Sequence, residues 1–95
     1  MKVGTTSNGF HFEIDEARAD DMRFVDLIVA SMDENTPEFE RITAASKMIE
    51  MLLGKEQKKA LYDHIGKSFD GRVPFSEVNK ALTEIMQGGG DAVKN

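Results

Sequence analysis

The sequence predicts a mainly α fold, a small four-helix domain with an N-terminal extended, strand-like segment. Three observations carry that prediction. Apolar residues recur at helical spacing in four stretches between Glu16 and Met86. A two-residue alternation occurs once, in GFHFEID at Gly9 to Asp15. Proline and glycine punctuate the stretches at Pro37, Gly54, Gly66, Gly71 and Pro74.

Residues 1–8 are small and polar and are expected to be a flexible lead-in. Phe10, Phe12 and Ile14 then alternate with His11 and Glu13, the pattern of a half-buried strand. No second strand of comparable quality follows. The strand would therefore lie across the helices, pair with the N-terminal residues, or add to a strand of another chain, which would allow self-association.

The first helix is expected from about Glu16 to Met32, capped by Asp15, with Glu16, Asp20 and Asp21 at the positive end of its dipole. Met22, Val25, Val29 and Met32 form one stripe, and Phe24, Leu27 and Ile28 widen the apolar arc. So broad an arc suits a helix at the centre of the domain, or one partly reserved for a partner. SMDENTP is a turn in which Thr36 caps a second helix and Pro37 occupies its first position. That helix runs to Leu53, with Gly54 as its left-handed terminator. Phe39, Ile42, Ala45, Ile49, Leu52 and Leu53 are expected to face the core, and Ala44, Met48 and Met51 a weaker flank. A third helix carries Leu61, Tyr62 and Ile65 and ends near Gly66. A fourth opens at Pro74 and buries Phe75, Val78, Leu82, Ile85 and Met86 before Gly88, Gly89 and Gly90. The domain is thus read as 9–87, with 88–95 a flexible glycine-rich tail.

Ninety-five residues suffice for one modest core, and with no cysteine there is neither a disulfide nor thiol chemistry. No apolar run resembles a signal peptide or a membrane span, so a soluble cytoplasmic protein is expected. Residues 1–40 hold ten acidic and three basic side chains, and residues 41–95 seven and nine. An acidic chain without a long basic stripe is a poor partner for nucleic acid. The basic cluster Lys55, Lys58 and Lys59 is read as a solvated helix face, or as a docking patch for an acidic partner or for the acidic half of another copy.

Catalysis is not expected. No nucleophile stands with a base, and His11 and His64 are not at metal-ligand spacing with each other. The stretch SFDGRVPFSE imitates the back half of a calcium-binding EF-hand loop, with Asp70, Gly71 and Glu77 in register. Gly66 and Ser68 stand where the opening acidic ligands belong, so no metal or cofactor is expected there. A helix–turn–helix DNA reader is disfavoured because the last helix carries Glu77 and Glu84 against a single Lys80. Met22, Met32 and Met86 are read as core filling, whereas Met48 and Met51 lie off the main stripe of their helix and are open to partner contact.

The order GFHFEID, an acidic and aliphatic helix, MIEMLLGKEQKKAL, LYDHI and then DGRVPFSEVNKAL resembles the tail assembly chaperones of long-tailed bacteriophages and prophages. That resemblance covers Gly9 to about Met86. It implies a protein of the host cytoplasm, absent from the finished virion, that keeps the long helical tape measure protein soluble. It also implies a longer, frameshifted form that would reach the tail tube protein. Phe24, Ile28, Met48 and Met51 are the expected client-facing residues, and replacing Met48 and Met51 by Glu is expected to weaken client binding with the fold intact. The competing readings are an EF-hand-like module and an antitoxin-like protein that wraps its partner with the N-terminal segment.

Overall fold

A computed structural model describes residues 1–87, and the expected tail at 88–95 lies outside them. The chain opens with a two-stranded antiparallel sheet, β1 (Lys2–Thr5) against β2 (His11–Ile14), in the register Val3 to Glu13 and Thr5 to His11. Of the three arrangements open to the strand, pairing with the N-terminal residues is the one formed. The lead-in expected at 1–8 instead supplies β1 and its turn. Residues 6–10 join the strands in a tight turn: Thr6 N–H donates to the Phe10 carbonyl at 2.9 Å, and Gly9 has φ +90°. Such hairpins place glycine at the left-handed position because a side chain there would be strained. The loop is tied down at two points. His64 Nε2 donates to the Asn8 carbonyl at 2.8 Å, and Ser7 N–H donates to Glu84 Oε1 at 2.8 Å. The inner face of the hairpin, Phe10, Phe12 and Ile14, is buried in the single core.

The first helix begins later than expected. Asp15 does act as a cap, but of a 3₁₀ turn at Glu16–Arg18, where its carboxylate accepts from Ala17 N–H. Asp21, in extended backbone at φ −148°, interrupts the run and caps α1 (Met22–Met32) by accepting from Arg23 N–H at 2.8 Å. Adjacent aspartates favour this outcome because their side chains compete with the helix for backbone donors.

Three α-helices form rather than the expected four. The expected second and third helices are one 29-residue element, α2 (Glu38–Gly66), whose helical bonding resumes directly after a kink at Gly54. Gly54 lies at φ +82°, ψ 167°, a conformation essentially reserved for glycine. The carbonyls freed by the kink are claimed from outside the helix backbone. Arg18 Nη1 donates to the Met51 carbonyl at 3.3 Å, and Gln57 Nε2 donates to the Leu53 carbonyl at 2.9 Å. The same Gln57 amide pairs with both backbone groups of Glu13, so the kink and β2 are held by one side chain. Pro37 itself is the N-cap of α2, without the side-chain cap expected from Thr36.

After Gly66 the chain reverses through Asp70 (φ +59°) and Gly71 (φ +86°), closed by Gly71 N–H donating to the Gly66 carbonyl at 2.9 Å. Pro74 then caps α3 (Phe75–Met86). Helices α1 and α3 both pack chiefly on α2. That arrangement buries α2 from two sides and leaves a channel between its neighbours.

Candidate functional site

The channel runs over the first half of α2. Its upper part, about 370 Å³, lies between Ile28 and Met32 of α1 and Leu82 and Met86 of α3, with Met48 in its floor. Its lower part, about 250 Å³, continues past Ser31 and Asn79 to Arg41, Ile42 and Phe75. Ser31 and Asn79 line both parts, so the two are adjacent over the first half of α2 and are treated together as one groove. Its upper walls combine the thioether and aliphatic groups of Ile28, Met32, Met48, Leu82 and Met86 with the polar side chains of Ser31, Asn79, Thr83 and Gln87. Methionine suits such walls, because an unbranched and polarizable side chain adjusts to differently shaped occupants.

Next to the groove, α1 presents Met22, Val25, Val29 and Met32 to solvent, with Met22 69% and Met32 74% exposed. These residues recur every three or four positions, so they form one continuous strip that enters the groove at Met32. Scattered exposed apolar residues are ordinary on a soluble protein. An aligned strip that runs into a groove is a candidate interaction surface.

The four residues expected to face a client separate here. Ile28 is half-buried and lines the groove, and Met48, 2% exposed, forms part of its floor. Phe24 is also only 2% exposed and belongs to the core, so it offers no surface. Met51 packs partly buried against the core, on the turn whose carbonyl Arg18 holds, and is not a groove residue. The double replacement of Met48 and Met51 by Glu therefore cannot be expected to spare the fold.

The other methionine expectations are reversed as well. Met22, Met32 and Met86, read as core filling, are exposed, as is Phe39 at 78%. Phe75, also expected in the buried face of its helix, is exposed at the lower end of the groove. Ala44 and Met48, read as a flank, are buried. One signal in the sequence distinguishes the two stripes of α1. Asp26 sits one helical turn from both Met22 and Val29, so a charge abuts that strip, whereas Phe24, Leu27 and Ser31 have no charge between them on the wheel. The contribution of α3 carries no such signal, since Leu82 and Met86 read as plain core positions.

Other surfaces are more fully satisfied. In the basic cluster, Lys58 pairs with Glu50 at 3.2 Å and Lys59 with Asp63 at 3.0 Å, which leaves less charge for an acidic partner. The N-terminal segment is no free arm, because its apolar face is buried in this chain's own core. In the turn after α2, Asp70 is exposed, and among the described residues no group of three or more His, Cys, Asp or Glu is placed to hold a metal ion. Among the described residues, no helix is long and apolar enough to cross a membrane.

Comparison with protein-family models, with curated proteins and with solved structures finds no match to this chain.

Proposed function

We propose that this protein is a non-enzymatic assembly chaperone that holds an apolar helical segment of a larger client in the groove between α1 and α3. The observation that carries this reading is the exposed strip Met22, Val25, Val29 and Met32, which runs into a groove walled by Ile28, Met48, Leu82 and Met86. A groove of this kind suits a helix presenting anchors at every third or fourth residue. The acidic exterior keeps a protein with so much exposed apolar surface from associating with itself. The resemblance to phage tail assembly chaperones supplies the client. It is the tape measure protein, held soluble in the host cytoplasm until tube subunits enclose it, after which the chaperone leaves. A longer form that reaches the tail tube protein belongs to the same reading.

The test is co-expression of the tagged chain with a tape measure protein that is insoluble when expressed alone. Recovery of the client in the soluble fraction, and its loss with Met32→Glu and Val29→Glu together, is the expected result. A client that stays insoluble, or one solubilised equally by the double variant, overturns the reading.

A further inference from the structure

The groove itself is lined by one acid and one base, Glu38 and Arg41, but the chain segment that carries α1 and leads into α2 is charged asymmetrically. Between Asp20 and Glu40 the chain carries seven acidic side chains and one basic one. Asp20 and Asp21 precede α1, Asp26 flanks its exposed strip, and Asp33 and Glu34 follow Met32. Glu38 lines the lower groove and Glu40 stands two residues further along α2. Among the described residues, none of the seven is in an ion pair. Asp21 and Asp33 accept backbone N–H groups and have no cationic side chain as partner. The opposite wall, on α3, is neutral where it meets the groove, through Asn79, Thr83 and Gln87. Arg41 is the cation of the lower groove, half-buried beside Glu38.

Seven like charges along about twenty residues repel one another, and a cationic occupant relieves that repulsion. We propose that the segment this groove accepts is an amphipathic helix whose apolar stripe is bordered by lysine or arginine on the side that faces α1. The proposal rests on the client-binding reading above and specifies the chemistry of the client. The groove wall from Phe75 to Met86 spans eleven helical steps, or about 16 Å, so the occupant makes contact over about three turns. A second copy of this chain does not fit the description. Its own basic stretch, around Lys55 to Lys67, has Leu61 and Ile65 buried in its core and presents no free apolar stripe.

The full chain is titrated, by fluorescence anisotropy, with two synthetic helical peptides of about 16 residues that share one leucine and alanine stripe. One peptide has lysine margins and the other glutamate margins. The lysine peptide is expected to bind about tenfold tighter at about 50 mM salt, an advantage that falls to about twofold near 500 mM as screening shortens the reach of the margin. Replacing Asp26→Lys and Glu34→Lys together, both exposed and free of side-chain hydrogen bonds among the described residues, is expected to reverse the preference. Equal affinity for the two peptides at low salt overturns the cationic margin and leaves the groove as a client site. Absence of binding by either peptide overturns the helical occupant as well. The co-expression result then decides separately whether the chain is a chaperone.

Discussion

On α1, Met22, Val25, Val29 and Met32 repeat at helical spacing, and on α2 Ala44 and Met48 do the same beside a stripe of larger residues. The α1 strip stands in solvent, while Ala44 and Met48 are buried. Composition does not separate them, since both are short, uncharged and methionine-bearing. The number of neighbours does. Helix α2 lies between α1 and α3 and is covered on two sides, so both of its stripes find apolar partners. Helix α1 has α2 on one side only, and Phe24, being larger than any residue of the competing strip, takes the covered face. A helix with two apolar stripes and one neighbour must leave one of them bare, and in the function proposed above the bare stripe is the surface offered to a client.

Three substitutions break or sharpen that contrast. Met48→Glu places an unpaired carboxylate in a groove floor that is 2% exposed, and is expected to cost about 3–5 kcal/mol of unfolding free energy in a urea titration. A cost below about 1 kcal/mol would show the floor to be far more open than described. Gly54→Ala forces a side chain into φ +82°, and a loss of about 1–3 kcal/mol is expected. The alanine Cβ itself would meet Arg18 Nη1 at an unstrained 3.7 Å, so a measurable loss reports the backbone conformation rather than crowding. A gain in stability would mean that α2 prefers to straighten when the glycine is removed. Met32→Glu, on a residue 74% exposed, is expected to change stability by no more than about 0.5 kcal/mol while it removes client retention. The pair Met48→Glu and Met32→Glu thus separates damage to the fold from damage to the surface, although both change methionine to glutamate in the same groove.

The N-terminal hairpin shows how legibility varied along the chain. GFHFEID announces β2 because its period is unmistakable. Its partner Lys2–Thr5 has Val3 as its sole bulky apolar residue and exposes it, so no alternation points to a strand. The signal that was present lies in the turn, where Asn8 and Gly9 form the dipeptide that closes tight hairpins. The α2 kink was half legible. Gly54 announced a left-handed residue, yet nothing local shows that the helix resumes at once. The partners that hold the kink, Arg18 and Gln57, include one 36 residues away in sequence.

Periodicity, end residues and charge were therefore determined by the sequence alone. They produced a mainly α chain, a β2 strand, helix boundaries near Pro37 and Pro74, and an acidic first half. These are local properties, set by backbone preference and side-chain spacing over a few residues. Which stripe of each helix is covered, and which residues meet in the groove, was decided only by tertiary structure. Burial is a relation between elements, and Ile28, Met48 and Leu82 come together because α1 and α3 both pack on α2.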